Sequence, residues 1–165
     1  MRILVLVCLL AFPLACGGTP GGDNVTVRAI VDGDTIVLTD GRRVRLVQMD
    51  APEPAKGECY SRAATRELER LIPVGTDIEL ETDPALDAAD EFGRTLAYVQ
   101  RDGTNVNVEL VRRGAAAPWF YQGVRGRHAA QLLLAADEAR RHDRGLWGAC
   151  PGTVFDPRHP VQARP

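Results

Sequence analysis

Residues 25–48 read VTVRAIVDGDTIVLTDGRRVRLVQ, and this stretch decides the fold. From residue 25 to residue 31 the odd-numbered side chains are expected on one face and the even-numbered ones on the other, which is the periodicity of a β-strand. Asp32-Gly33-Asp34 interrupts the pattern, and a β-branched run resumes it over 35–39. Asp40-Gly41 is a strong hairpin-turn signal, and a third strand is predicted over 42–48. Three strands in a meander are therefore specified before residue 50.

The rest of the sequence adds two strands and several helices. Helical spacing predicts a helix over 61–71, and strands follow at 77–81 and 95–100. A short helix is predicted over 106–113, stopped by Gly114, and a last one from about 125 to 141, ending near Gly145. Five strands with a helix between the third and the fourth predict an α+β protein built on a β-barrel with helices. We expect a five-stranded OB-fold Greek-key barrel with about three α-helices, a fold that often binds oligonucleotides.

Length and composition fit one soluble domain. The chain has 165 residues, 45% of them hydrophobic, 25% charged and only 5% aromatic, so aliphatic side chains must fill the core. The formal net charge of −2 argues against a protein that coats nucleic acid through bulk positive charge. Any contact with nucleic acid must come from a local cluster of arginines.

The first residues have the pattern of an export signal. Arg2 precedes an apolar run over 3–14 that is too short to span a bilayer, so residues 1–16 are predicted to be a signal peptide. Cys16 at its end indicates a lipoprotein signal and a possible lipid anchor to the membrane, with simple cleavage and release left open. We therefore expect an exported protein, either a cell-envelope lipoprotein or a secreted one. Residues 17–24 are predicted to be a flexible Gly/Pro-rich spacer, 25–150 the folded domain, and the proline-containing segment 151–165 a disordered tail.

The cysteines agree with export. If Cys8 leaves with the signal and Cys16 carries lipid, Cys59 and Cys150 remain, and an oxidising compartment would pair them in a disulfide. Free thiols and a metal role are the alternatives. A metal role is disfavoured because no second cysteine or histidine stands at ligand spacing around either residue.

Charged residues concentrate in three segments where strands end, at 31–35, 45–53 and 91–98. Asp-Gly-Asp alone is a common turn. Together, however, Asp34 and Asp50 lie at the ends of neighbouring strands and can converge on one hard cation through oxygen ligands. Arg45 and Arg94 can balance the charge of a phosphodiester as it is attacked. Glu53, three residues after Asp50, is placed to orient or deprotonate the attacking water.

The order and spacing of these motifs resemble the staphylococcal nuclease (thermonuclease) family over roughly residues 25–147. The resemblance is carried by DGDT at 32–35, Arg45 followed by DAPE at 50–53, FGRTLAY at 92–98, NVELVRRG at 107–114 and GLW at 145–147.

The resemblance implies a calcium-dependent nuclease that hydrolyses phosphodiester bonds of DNA and/or RNA with little sequence preference. Its Ca²⁺ ligands would be Asp34, Asp50 and the backbone carbonyl of Ala51, with Asp32 just outside this ligand set. Arg45 and Arg94 would grip the phosphate and Glu53 would act as general base or water-orienting group. We expect a monomer.

The sequence departs from the best-known family member near the nucleotide. Ala51 stands where that member has Thr, which keeps the carbonyl and loses a hydroxyl. Glu91 and Phe92 replace Lys and Tyr. The aromatic side chains at 118–121 could stack a base or pack, and we expect a mixture of the two. Two rival hypotheses remain: a catalytically inactive OB-fold module of the cell envelope that binds nucleic acid or protein, and a structural lipoprotein. The complete set of Asp34, Arg45, Asp50, Glu53 and Arg94 favours the enzyme.

Overall fold

The structure, a computed structural model, describes residues 23–165. It contains eight strands and four α-helices in that range. The strands are β1 (Asp23–Ile30), β2 (Thr35–Leu38), β3 (Arg43–Leu46), β4 (Met49–Asp50), β5 (Asp77–Glu81), β6 (Thr95–Arg101), β7 (Thr104–Asn105) and β8 (Ala117–Pro118). The helices are α1 (Ser61–Leu71), α2 (Val106–Arg112), α3 (Ala129–Arg141) and α4 (Leu146–Ala149), and short 3-10 turns lie at Pro54–Lys56 and Tyr121–Gly123.

Five strands form a closed barrel in the order β3-β2-β1-β5-β6. Neighbours in this order are antiparallel, and the barrel closes through a parallel pairing of β3 with β6 that sets Arg45 opposite Leu96. Strand β7 extends the sheet from β6, while β4 and β8 form a separate two-stranded ladder. The predicted five-stranded barrel with helices is confirmed.

The first hairpin forms where the sequence predicts it. Gly41 has a positive φ of 92°, its N–H donates to the Leu38 carbonyl, and the turn passes the chain from β2 to β3. The strict alternation expected for β1 is wrong, because a bulge shifts the register between Val27 and Ala29. Val25 and Val27 face the core before the bulge, Ile30 packs against it afterwards, and Val31 is 46% exposed.

Helix α1 has the predicted bounds, and it buries Ala64 and Leu68, which are one turn apart on the same face. Helix α3 begins at Ala129 rather than near Arg125. The side chain of Gln48 explains the difference, since it donates to the Val124 carbonyl and accepts from the Gly126 N–H, which holds this stretch outside the helix. Helix α4 was not predicted.

The core fills the barrel and the space between the barrel and the helices, and it is mainly aliphatic, as the composition indicates. Tyr98 and Phe120 are its largest aromatic side chains. Its largest fully buried aliphatic members are Ile36, Leu38, Leu46, Met49, Leu68, Ile72, Leu110, Leu132 and Leu146.

The structure differs from the sequence prediction at both boundaries of the folded domain. Asp23 and Asn24, expected in the spacer, belong to β1, where they pair with Leu80 and Glu79. Residues 151–165, expected to be disordered, follow a defined course against the barrel, because Val161 and Ala163 are buried there. The predicted signal peptide and the spacer up to residue 22 lie outside the described residues. Within 23–165, no helix has both the length and the apolar character that crossing a membrane requires.

Candidate active site

The turn between β1 and β2 places Asp34 under the start of α1. The Val31 N–H donates to the Thr35 carbonyl at 2.9 Å and closes the turn. A Cβ atom on Gly33 would lie 2.6 Å from the Cβ of Ala51 and 3.0 Å from that of Ala64. Only glycine therefore allows the turn to approach the helix and the loop after β4 this closely.

Asp34 is 6% exposed. One carboxylate oxygen accepts from the Thr35 hydroxyl at 3.1 Å and the other from the Ala51 N–H at 2.9 Å. Asp32 also contacts Asp34, since its side chain accepts a hydrogen bond from the Asp34 N–H at 3.1 Å. Asp32 is thus hydrogen-bonded to the backbone of Asp34, and its place beside a metal stays a prediction.

Arg45 joins the two aspartates. Its Nη2 atom lies 2.8 Å from Asp50 Oδ1 and 3.1 Å from Asp34 Oδ2. Its Nη1 atom donates to the carbonyls of Leu46 at 2.6 Å and Met49 at 2.8 Å. All three charged side chains are 8% exposed. The guanidinium is fixed by the strand that carries it and holds both carboxylates at one point.

One buried guanidinium faces two buried carboxylates, so the cluster has an excess of negative charge. Burial raises the pKa of Asp34 to about 6, against the opposing effect of Arg45 and with a further contribution from Asp32. Burial likewise raises the pKa of Asp50 to about 7, with Arg45 opposing and Asp34 and Glu53 adding to the shift. A proton or a cation would relieve this charge.

The donor set fits a hard divalent cation, because it offers carboxylate oxygens in a negative, desolvated pocket. Over residues 23–165, no group of three or more His, Cys, Asp or Glu side chains is arranged to hold a metal ion. Asp34 and Asp50 would therefore need a further ligand, and the Ala51 carbonyl is the one that the resemblance implies.

Glu53 lies in the loop after β4, beside Asp50. Its N–H donates to the Glu58 carboxylate at 2.7 Å, and its own carboxylate accepts from Lys56 Nζ at 2.9 Å. Its side chain is 45% exposed, unlike the aspartates. Asp50, Glu53 and Lys56 line a cavity of about 580 Å³. Sequence reasoning missed Lys56 and Glu58, although a lysine three residues after Glu53 in a short loop was a usable signal.

Arg94 is not in direct contact with the aspartate cluster. Its Nε donates to Asp90 at 2.7 Å, and its guanidinium lies 5.5 Å from the centre of the Phe92 ring. It lines a second cavity, of about 530 Å³, together with Arg45. The structure therefore brings Asp34, Arg45 and Asp50 into contact, sets Glu53 next to them, and places Arg94 along a neighbouring cavity.

The aromatic stretch divides between packing and exposure. Phe120 is buried and packs in the core, whereas Tyr121 is 59% exposed. Trp119 and Tyr121 meet edge to face at 5.9 Å, and the Arg45 guanidinium lies 5.8 Å from the Trp119 ring. Both rings line the cavity that contains Arg94.

Two contacts join the region from β4 to α1 to the part of the chain that follows α4. Cys59 and Cys150 form a disulfide across 91 residues, the pairing expected from the sequence. The N–H of Val161 donates to Asp50 Oδ2 at 3.0 Å, a contact that sequence reasoning missed because it joins segments far apart in the chain.

A closed barrel that carries two acidic side chains and a guanidinium at the ends of neighbouring strands has the architecture of a barrel-type nuclease. Comparison with known proteins agrees. The family model described as "Staphylococcal nuclease homologue" matches residues 43–149. An "Uncharacterized endonuclease" of Escherichia coli O157:H7 is 34% identical over 149 residues, which cover 88% of this chain and 88% of that protein. A "Thermonuclease" of Staphylococcus intermedius is 32% identical over 133 residues, covering 76% and 77%. The "Endonuclease YncB" of Bacillus subtilis (strain 168) is 33% identical over 131 residues, covering 75% and 61%.

The chain belongs to the staphylococcal nuclease family. The similarity to nucleases supports the interpretation that this protein is a hydrolase of the endonuclease type and that its substrate is a nucleic acid.

Proposed function

We propose that this protein is an exported, calcium-dependent nuclease that hydrolyses phosphodiester bonds of DNA and/or RNA with little sequence preference. The observation that carries the proposal is the single Arg45 guanidinium holding the buried Asp34 and Asp50 carboxylates at one point. Such a cluster offers oxygen ligands and an excess of negative charge that a divalent cation can neutralise.

Asp34, Asp50 and the Ala51 carbonyl would hold the cation. When bound, Ca²⁺ supplies positive charge beside the scissile phosphate and stabilises the charge that develops during attack. The chain's own part is to fix the ligands: the Ala51 N–H and the Thr35 hydroxyl hold Asp34, and Arg45 holds Asp50.

Arg45 and Arg94 would bind the phosphate from the cavity that they share. Guanidinium groups suit this task because they pair bidentately with phosphate oxygens. In the structure Arg94 pairs with Asp90. Phosphate binding would exchange that carboxylate for a phosphate oxygen, so Asp90 sets Arg94 in a defined resting position.

Glu53 would orient or deprotonate the attacking water. A carboxylate near a phosphodiester repels it, so Glu53 can help only by acting in the transition state. Its partial exposure to the cavity beside Asp50 leaves room for a water molecule.

Export and lipid anchoring rest on the sequence of residues 1–22 and on the disulfide. Disulfides persist in oxidising compartments, so the Cys59–Cys150 bond supports export. We propose that the mature protein is a monomer that is either anchored through Cys16 or released. Mass spectrometry of protein purified from its host, comparing the parent with Cys16→Ser, distinguishes a lipid-modified first residue from simple cleavage.

A nuclease assay with calcium or with excess chelator tests the function. We expect cleavage with calcium and none with chelator. Asp34→Ala should abolish most activity. Glu53→Gln should lower the single-turnover rate by about a hundredfold or more, as loss of a general base does, with unchanged or slightly tighter substrate binding.

Glu79→Gln is the matched control, because Glu79 is an exposed carboxylate on β5, and it should behave as the parent. Binding of oligonucleotide without cleavage under any metal would instead indicate the inactive binding module. A normal rate with weakened binding in Glu53→Gln would make Glu53 a binding or structural residue.

A further inference from the structure

Residues 151–165 follow a folded course that starts at the disulfide. Cys150 is bonded to Cys59, and from there the chain runs out and returns on itself, so that Val154 and Gln162 form an antiparallel bridge. The turn between them is held by Asp156, whose side chain pairs with the Arg158 guanidinium at 2.6 Å and whose carbonyl accepts the His159 N–H at 2.9 Å.

The returning part of this segment docks on the active-site face. The Phe120 N–H donates to the Pro157 carbonyl at 2.7 Å, and the Cys59 N–H donates to the Ala163 carbonyl at 3.1 Å. Between these two anchors, the Val161 N–H donates to Asp50 Oδ2 at 3.0 Å. Val161 and Ala163 are 4% and 3% exposed, as deeply buried as much of the core. The segment is therefore packed into the molecule and touches a proposed metal ligand directly.

This contact places a donor from a distant segment on the second oxygen of Asp50. Oδ1 already accepts from Arg45, and Oδ2 accepts from Val161. An N–H group places a positive partial charge at the carboxylate and takes one lone pair of the oxygen, so it weakens the attraction for a cation. The Ala51 N–H does the same at Asp34, but it belongs to the loop directly after β4, whereas Val161 lies in a separate segment beyond the last helix. Because hydrogen bonds to charged groups are stronger than neutral ones, this weakening is substantial.

The segment also borders only one half of the candidate site. Residues 160–165 line the cavity that contains Asp50 and Glu53. Arg45 and Arg94 line the other cavity, which residues 160–165 do not reach. A phosphodiester that contacts Arg94 while Glu53 holds its attacking water needs one continuous space. Glu53 and Arg94 line two different cavities, and the docked segment takes up part of the one that contains Glu53.

We propose that residues 157–165 form an intramolecular cover that holds the active site in a resting state through the Val161 N–H bond to Asp50. The inference rests on the proposed function. Calcium and nucleic acid then bind well only to molecules in which Val161 has left Asp50, and their apparent affinities fall by the fraction of molecules that are open. The disulfide retains the base of the segment after release, so that the cover can close again.

Substitutions at position 161 test the N–H separately from the side chain. Val161→Pro removes the donor, whereas Val161→Ala keeps it and serves as the matched control. Calcium binding is measured by titration calorimetry on the full disulfide-bonded domain with calcium chloride alone. We expect Val161→Pro to bind calcium at least about tenfold more tightly than Val161→Ala, the size of one charge-assisted hydrogen bond. Its kcat/KM on a short oligonucleotide should rise by a similar factor.

A variant lacking residues 157–165 gives the same test without placing a new proline, and it keeps Cys150. We expect it to match or exceed Val161→Pro in calcium affinity. Equal or weaker calcium binding by the folded variants, or no binding by any of them, would overturn the cover; weaker binding would show that Val161 orients Asp50 for the metal. The proposed function fails separately, if the open variants bind calcium more tightly and still cleave nothing.

Backbone amide exchange provides a readout in the parent protein. The Val161 amide should be protected without calcium, because it is hydrogen-bonded and buried. Adding calcium and an oligonucleotide should speed its exchange, while the amide of Ala51, bonded to Asp34, stays protected. Unchanged protection of Val161 in cleaving protein would contradict the cover.

Discussion

Replacing Arg45 with Met tests whether the guanidinium is what holds the two buried carboxylates together. Methionine is of similar length but has neither the charge nor the N–H groups. The change removes the contacts to the carboxylates of Asp34 and Asp50 and to the carbonyls of Leu46 and Met49. Because the two carboxylates are 8% exposed, water cannot replace the lost partner.

We expect Arg45→Met to lower the free energy of unfolding of the metal-free protein by about 3–5 kcal/mol, the usual result of removing one partner from a buried ion pair. Proton uptake limits the loss, since the pKa values of Asp34 and Asp50 already lie at about 6 and about 7 with Arg45 present. At about pH 5 both carboxyls are protonated in either protein. At about pH 8 both are ionised, and only the parent has a guanidinium that offsets their negative charges. The loss should therefore grow as the pH rises.

The measurement is guanidinium chloride unfolding followed by circular dichroism, in excess chelator, at about pH 5 and about pH 8. Arg94→Met is the matched control. The ion pair of Arg94 with Asp90 is less deeply buried, at 25% and 18% exposure, and Asp90 keeps the backbone N–H groups of Phe92 and Arg94. Its loss should stay below about 1 kcal/mol. Equal losses in the two variants, or a loss in Arg45→Met that does not change with pH, would refute the argument.

Three further outcomes are expected. Gly33→Ala should lower the free energy of unfolding by about 1–3 kcal/mol through overpacking, since its Cβ would lie 2.6 Å from that of Ala51; an unchanged melting temperature would contradict the tight approach of the turn. The double variant Cys59→Ser, Cys150→Ser should lose about 4 kcal/mol, because the bond closes a long loop, and a parent protein that loses nothing on reduction would contradict this estimate. Partial burial raises the pKa of Asp90, but the backbone and side-chain hydrogen bonds from Arg94 outweigh it and hold that pKa below its usual range. The stability that Asp90 contributes is therefore present above about pH 4 and lost as the pH falls below it, so denaturant midpoints of the parent and Asp90→Asn should converge in acid rather than stay apart.

The parts of the fold that local sequence determines were predicted well. The Asp40-Gly41 turn, helix α1 and strand β5 lie where the sequence predicts them, because turn residues and periodicity act over a few positions. The ladder between β4 and β8 has two residues on each side and shows no periodicity. The start of α3 is set by Gln48, a residue far away in the chain.

The candidate site likewise has a part that could be predicted from the sequence and a part that could not. Asp34, Arg45 and Asp50 come from two adjacent turns and strands, so their convergence follows from the meander. The position of the Arg94 side chain could not be predicted, because it depends on the pairing with Asp90. The path of residues 157–165 could not be predicted either. Prolines in that segment suggested disorder. They did not reveal that Val161 and Ala163 have a buried surface to dock on.

The parallel pairing of β3 with β6 has a consequence for when activity can arise. It joins strands that are far apart in sequence, and such contacts form late because a long loop must close first. The hairpins that carry the aspartates can form early. Strand β6, which begins directly after Arg94, pairs with β3 beside Arg45 only when the barrel closes. A growing or unfolded chain therefore keeps Arg94 apart from Asp34, Arg45 and Asp50, the other residues proposed to act on nucleic acid. Under the proposed function, activity would therefore arise only after the barrel has closed.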